Sequence, residues 1–500
     1  MLRKFIKDIS IYAPSQFLPA LTAFITTPIL TRLFPPDEYG YYSLASSTAS
    51  FLLALAVSGI GSSVIRFFPL NKVRGTLDVF IATVSVFTGA LISIITVFSF
   101  LILFFFKAFI PPALIQFFPI IILIFVAQSI TSVFMAAERA QEHSGSFTTF
   151  QLLTYYGSLG LGLLLVIVGG LRIEGLLWGA FIANIVLLPF LIFLATKGIG
   201  IHPLLFQFTD AVQIWEYGWP LALGNVAMWG LRVSDLFIIS SFRSERDVGL
   251  YSVSYNISSK TIDLLVSLFL LAVGPLIIRT WETEGLEATE KALTMITRVY
   301  LILCLPASVG LTILASPFVA LLTTPDYYEG AKIVGFVVFS SFAWGLSFIA
   351  SMGITTVKRK THSLAANQII AASVHIGLQM FLVPRFGYIA AAISTLIGYT
   401  VLLILQTLSS RPYLTWRFPF ITLRNVIIAS AFMGLVAWGI NGLSGAGNNG
   451  SPIFLFLGII VAIPVYFAGI WLLGEANADE KKKLLQYWHT LMKNEAKSNL

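Results

Sequence analysis

Long apolar stretches follow one another along almost the whole chain, separated by short connectors where the polar and charged residues gather. They lie near residues 9–32, 38–62, 77–106, 112–136, 146–169, 174–196, 212–240, 248–272, 291–315, 331–354, 364–384, 387–409, 421–441 and 452–474. Each is long enough to cross a hydrocarbon layer about 30 Å thick as a helix rising about 1.5 Å per residue. The runs are not alternating ten-residue strands, so the pattern favours helices over a β-barrel. It predicts an all-α, polytopic membrane protein with about fourteen transmembrane helices.

Composition agrees. The 500 residues are 57% hydrophobic and 11% charged, with a mean hydropathy of +0.88, whereas a soluble domain carries about 25% charge. No soluble catalytic domain is left to hold a site. No HExxH, Walker A, GxSxG or metal-spaced Cys/His set occurs, so the chain reads as a non-enzyme without a metal or cofactor. The one cysteine, Cys304, lies in an apolar run. It excludes an intramolecular disulfide and reads as a core thiol. The first apolar stretch is too long for the h-region of a signal peptide.

Charge changes the picture by fixing orientation. With the N-terminus inside, the inner connectors and termini hold 21 Lys and Arg and the outer connectors 7, leaving Arg232, Lys260 and Arg298 within spans. The bias predicts cytoplasmic termini. It also accounts for the net charge of +8 without nucleic acid, and favours anionic membrane lipids. Leu2, Phe5, Ile6 and Ile9 share a helical face beside Arg3, Lys4 and Lys7, and Leu484, Trp488, Leu491 and Met492 do the same beside Lys481, Lys482 and Lys483. Both segments read as amphipathic helices on the inner leaflet; a frayed tail is the alternative for the last ten residues.

The chain also repeats itself weakly. Glu38-Tyr39-Gly40-Tyr41-Tyr42-Ser43 opens the second span and Asp247-Val248-Gly249-Leu250-Tyr251-Ser252 the eighth, an offset of 209 residues. Arg172, Gly175, Gly179 and Ala180 face Arg385, Gly387, Ala391 and Ala392 at an offset of 212 at the glycines. Two repeats at nearly one offset predict two six-helix lobes, 1–205 and 206–415, with spans 13 and 14 (416–475) outside the repeat and a cytoplasmic tail at 476–500. Chance likeness between glycine-rich helix starts is the competing explanation.

Charges inside the spans are the candidates for chemistry, because each is costly in lipid without a partner or water. Arg232 and Asp235 in span 7, and Lys260 and Asp263 in span 8, are basic–acidic pairs at i, i+3, each on one helix face. Arg298 lies within span 9, Arg66 at the inner end of span 2 and Arg32 at the outer end of span 1. One reading is a cationic, water-filled cavity that grips a phosphate headgroup. The other is that each pair neutralises itself in a packed bundle and the terminal arginines only mark topology. His375 and Glu216 are candidates for cavity or coupling groups; a hydrogen-bonded core histidine and an interfacial glutamate are the bland readings.

Two stretches carry a resemblance. The first is Thr31-Arg32-Leu33-Phe34-Pro35-Pro36-Asp37-Glu38-Tyr39-Gly40, followed by Gly59-Ile60-Gly61-Ser62-Ser63-Val64-Ile65-Arg66-Phe67-Phe68-Pro69. The second is Asp235-Leu236-Phe237-Ile238-Ile239-Ser240, followed by Val248-Gly249-Leu250-Tyr251-Ser252 and Tyr255. Over spans 1–12 the chain resembles the Wzx-type polysaccharide-biosynthesis flippases of the MOP superfamily, which also holds MATE drug exporters and lipid II flippases. The resemblance implies a MATE-like fold of two six-helix lobes around a cationic central cavity, plus two C-terminal helices.

It also implies a function: a polyprenyl-pyrophosphate-linked oligosaccharide moved from the cytoplasmic to the outer leaflet of the cell's inner membrane, for O-antigen or exopolysaccharide synthesis beside polymerase machinery. By that likeness Arg32, Arg66 and Arg232 match basic cavity positions; Lys260 is added from its depth in span 8. A transmembrane ion gradient, of protons or sodium, is the implied energy source. Two rivals stay open. A MATE-like cation-coupled multidrug exporter would want an acidic cavity. A membrane glycan polymerase or ligase would want a large, charged outer loop, and the longest one, Asn441 to Ser451, carries no charge.

Overall fold

The apolar runs fold as expected. The computed structural model describes residues 18–19, 21–196, 200–358, 361–443 and 452–475. The amphipathic segments expected at the two ends lie outside the described residues. Among the described residues, twelve helices are long and apolar enough to cross a membrane. They are α2 (Pro36–Arg74), α3 (Leu77–Phe106), α4 (Pro112–Ala140), α5 (Ser144–Ile167), α6 (Ile173–Thr196), α7 (Phe208–Phe242), the later part of α8 (Glu245–Ile313), α10 (Val334–Met352) with its flanking turns, α11 (Thr361–Phe386), α12 (Tyr388–Ser410), α13 (Phe420–Gly442) and α14 (Pro452–Leu472). The described part of the first span is the shorter helix α1 (Leu21–Leu33). The short α9 (Ala315–Leu322) follows α8. Expected span 8 forms the start of α8. On α3, Phe98, Phe104 and Phe105 are exposed, a face that belongs in lipid rather than water. The chain is a multi-pass membrane protein.

Local signals set the ends of α2. Pro36 opens it, where the missing N–H costs nothing, and Asp37 and Glu38 sit in the first turn. Lys72 and Arg74 sit in the last turn, and Gly75 closes it in the left-handed region (φ 75°), its N–H donating to the Asn71 carbonyl. The connector between spans 8 and 9 is helical. Its run of Glu, Ala, Leu, Thr and Lys between Thr280 and Leu293 contains strong helix formers, and α8 breaks only at Gly285 (φ 80°).

The chain divides into two compact units. The first comprises residues 1–264 and 322–414, so helices of both expected lobes fall within it. Here α2 packs on α3, α4 and α7, α6 on α4 and α5, and α12 on α7, α10 and α11. The repeat acquires a packing role. Gly40 of α2 and Gly249 of α8 meet: a Cβ on Gly40 would run into the Glu245 carbonyl, and one on Gly249 into the Pro36 carbonyl. Beside them the Tyr327 hydroxyl donates to the Phe34 carbonyl at 2.8 Å, and its ring meets Tyr39 edge-on at 6.3 Å. Further along α2, a Cβ on Gly59 would lie 2.6 Å from the Gly218 carbonyl oxygen of α7, and the Ser63 hydroxyl donates to the Ile214 carbonyl at 2.9 Å.

The second unit comprises residues 265–321 and 415–500. In it α13 packs on α14, the Tyr466 hydroxyl donates to the Ile302 carbonyl at 2.8 Å, and the Trp416 indole N–H donates to Thr297 Oγ1 at 2.9 Å.

Candidate functional site

Three residues of α7 separate two polar layers. Residues i and i+3 on a helix lie about 60° apart around the axis, enough to aim Arg232 and Asp235 at different neighbours. Asp235 is fully buried. Its carboxylate accepts hydrogen bonds from the Tyr251 hydroxyl of α8, from Gln379 Nε2 of α11 and from Thr395 Oγ1 of α12, the last at 3.0 Å. His375 Nε2, also fully buried, lies 3.0 Å from Asp235 Oδ1. A buried carboxylate needs this many donors, because an unpaired charge away from water is costly by several kcal/mol.

Arg232 lies about one turn away and is exposed. Its guanidinium carbon stands 4.7 Å over the Trp344 ring, within hydrogen-bonding reach of the Tyr399 hydroxyl and close to the Asp263 carboxylate. Asp263 is hydrogen-bonded to Ser341 and feels both Arg232 and Lys260. Tyr255 stacks on Tyr251 with ring centroids 5.6 Å apart, so one aromatic pair joins the Asp235 layer to the Arg232 layer. The expected i, i+3 pair of Arg232 with Asp235 is therefore not formed. Asp263 instead serves Arg232 and Lys260 together.

Lys260 opens into a cavity of about 510 Å³ walled by α1, α2, α4, α5, α6 and the start of α8. Among the described residues that line it, Lys260 is the one charged side chain. The others include Tyr39, Tyr42, Gln128, Asn184 and Asn256.

The remaining candidates lie elsewhere. Arg66 is exposed, its guanidinium carbon 4.6 Å from the Tyr217 ring and 5.7 Å from Phe67. Glu216 is exposed on α7 beside Tyr217. Arg32 is exposed at the end of α1, next to Thr31, whose carbonyl accepts from Thr324 Oγ1 at 3.3 Å.

Arg298, in the second unit, is committed to Glu475. Its Nε donates to Glu475 Oε1 at 2.9 Å, and it also donates to the Glu475 carbonyl. Thr422 and Asn425 of α13 donate to the same carboxylate, Asn425 at 2.9 Å. Burial alone would raise the Glu475 pKa, but the bonds from Thr422, Arg298 and Asn425 and the charge of Arg298 hold it below the usual carboxylate range. A depressed carboxylate stabilises the fold at pH values above its unfolded pKa, and that stabilisation fades as pH falls through the lower folded value. Glu475→Ala is expected to lower the stability of the α13–α14 region by about 1–3 kcal/mol at pH 7 and by much less near pH 3. Hydrogen exchange of α13 and α14 at the two pH values checks this; equal losses at both would disprove the clamp.

Sequence reasoning passed over several residues of the site: Tyr251, Tyr255, Trp344, Gln379, Thr395 and Tyr399. Gln379 follows His375 by four residues and shares its helix face, a signal that was available. The two tyrosines of α8 fall in a stretch that marks the resemblance but suggests no role.

Comparison with known proteins identifies the family and the fold. The model of the family described as polysaccharide biosynthesis protein matches residues 29–332. A protein named probable flippase AglR, from Haloferax volcanii, is 25% identical over 246 residues, 46% of this chain and 48% of that one, so the chain spans about half the length of that relative. A solved structure titled lipid II flippase MurJ, inward closed conformation, superposes with a TM-score of 0.73 at 15% identity, covering 92% of this chain and 97% of that one. An inward-facing multidrug resistance MATE family transporter of the MOP superfamily superposes at 0.63 and 14% identity, covering 78% and 94%. The chain belongs to the polysaccharide biosynthesis protein family, and its fold is similar to that of the MurJ and MATE structures.

Proposed function

We propose that this protein is a flippase that carries a polyprenyl-pyrophosphate-linked oligosaccharide from the cytoplasmic to the outer leaflet by alternating access, and that it catalyses no covalent step. The observation that carries this reading is Arg232, a cation within a membrane-spanning helix, held over Trp344 beside Tyr399. A guanidinium so backed offers its fork to phosphate oxygens. A glycan headgroup cannot cross hydrocarbon unaided, and a polar cavity lets it pass while the prenyl tail stays in lipid. A cavity whose one charged wall residue among those described is Lys260 suits this cargo better than a cationic drug.

In this reading the two six-helix lobes rock against each other, both termini are cytoplasmic in the cell membrane, and the product feeds polysaccharide polymerase machinery. Proton movement at Asp235 and His375 supplies the coupling to an ion gradient. The test is leaflet exchange of a lipid-linked sugar in proteoliposomes. Wild-type protein is expected to exceed empty vesicles, and Arg232→Ala to lose tenfold or more, as removal of a charge-assisted bond of about 1.5–3 kcal/mol requires. Wild-type exchange no faster than empty vesicles would falsify the reading.

A further inference from the structure

We infer that the cavity bearing Lys260 is a carbohydrate subsite, which takes the sugars next to the carrier phosphate and places one negative group of the headgroup at the Lys260 amine. The inference rests on the flippase reading and names the part of the cargo that this cavity holds. Its volume of about 510 Å³ falls in the size range of small-molecule sites, about 300–1,000 Å³.

The walls discriminate between ligand classes. Fifteen of the 23 lining side chains are polar. A prenyl tail or an apolar drug would strip water from them and return nothing, at about 1–3 kcal/mol for each group left unpaired. Several wall hydroxyls donate to carbonyls of their own helix: Thr131 to Ala127 at 2.9 Å, Ser158 to Thr154 at 2.6 Å and Ser50 to Ser46 at 2.9 Å. Their protons are thereby used, and their oxygens remain as acceptors. Asn184, buried in the wall, likewise donates to the Ala180 carbonyl at 2.8 Å and keeps its own carbonyl oxygen. The side-chain carbonyl of Gln151 is shielded from solvent and receives no donor from the protein. A wall rich in acceptors calls for a ligand rich in donors, which is what sugar hydroxyls are. Tyr39, Tyr42 and Tyr155 add rings against which the C–H faces of a pyranose can lie.

The charge pattern narrows the class further. Among the described residues the lining holds one amine, no carboxylate and no guanidinium. One amine balances one negative charge, so a bare pyrophosphate is under-compensated there and a cationic ligand is repelled. The anionic group has two chemical sources, the carboxylate of an acidic sugar or the phosphate to which the first sugar is bonded.

Three synthetic lipids separate the outcomes in proteoliposomes: prenyl pyrophosphate without sugar, the same lipid with a neutral disaccharide, and the same with a disaccharide containing a uronic acid. Asn184→Leu and the near-isosteric Thr131→Val are expected to slow exchange of both sugar-bearing lipids, tenfold or more for Asn184→Leu and severalfold for Thr131→Val. Both should leave the sugarless lipid at the wild-type rate, and thermal unfolding of the purified variants should stay close to wild type. Lys260→Gln is expected to slow only the uronic-acid lipid if the carboxylate sits at the amine, and both sugar-bearing lipids if the phosphate does. Equal slowing of all three lipids by folded Asn184→Leu and Thr131→Val, or no slowing of any, overturns the subsite while leaving the flippase reading intact. No exchange of any lipid by wild-type protein overturns both.

Discussion

Gly249→Ala is expected to abolish most transport while leaving the protein folded. The added methyl would occupy the place of the Pro36 carbonyl, and Gly40→Ala would meet the Glu245 carbonyl in the same way. Backbone cannot rotate aside as a side chain can, and overpacking of this kind costs about 1–3 kcal/mol or more. The cost falls only on conformations in which α2 and α8 touch at these glycines. In the proposed alternating-access cycle this contact is expected to form and part, so the substitution should remove one of the two end states. A bias of about 1–3 kcal/mol shifts a conformational equilibrium roughly 5- to 150-fold, and exchange should fall by a similar factor. The measurement is leaflet exchange together with thiol accessibility of a cysteine placed near Tyr42, in protein whose single buried cysteine, Cys304, has been replaced by alanine. Label that reacts no faster in Gly249→Ala than in the parent, with exchange unchanged, rules the contact out as a gate.

Asp235→Asn should carry the second largest effect. Asparagine keeps the shape but not the charge, so His375 loses its anion and the hydroxyls of Tyr251 and Thr395 lose their strongest acceptor. Removing one partner of a buried charged pair costs about 3–5 kcal/mol when nothing replaces it; the amide replaces part of it, so the protein should survive with reduced thermal stability. The functional consequence is sharper. In vesicles with an imposed pH gradient, wild-type exchange is expected to accelerate and Asp235→Asn to run at its gradient-free rate. A wild-type protein that ignores the pH gradient and responds to sodium alone would assign the coupling to another ion, and acceleration of both proteins equally would assign it to another residue.

The two kinds of information in the chain were not equally legible. Helical class follows from run length, a property of adjacent residues, and it survives in the structure; of the about fourteen spans expected, twelve among the described residues are long and apolar enough to cross a membrane. The span bounds said nothing of the connector between spans 8 and 9, where the residues between Thr280 and Leu293 include good helix formers and continue α8. The site was half legible. Arg232, Asp235, Lys260 and Asp263 stand out as charges within apolar runs. Their partners could not be read, since Thr395 lies 160 residues from Asp235 and Gln379 lies 144 away. Sequence spacing therefore paired Arg232 with Asp235, when packing against α8, α11 and α12 draws them apart. Arg298 shows the same limit: its partner Glu475 is 177 residues distant, and a cation that looked available for cargo turns out to hold two helices to a third.

The stacked pair Tyr251 and Tyr255 has a thermodynamic consequence. Its rings tie the carboxylate–imidazole layer to the guanidinium layer across 5.6 Å, and any influence that passes through it is reciprocal. If an anion seated on Arg232 alters proton affinity at Asp235 by some factor, then protonation alters anion affinity by that same factor. Binding measured at two pH values and proton uptake measured on binding must then return one number. Replacing Tyr255 by leucine, which removes the stack but neither charge, should pull that number toward unity.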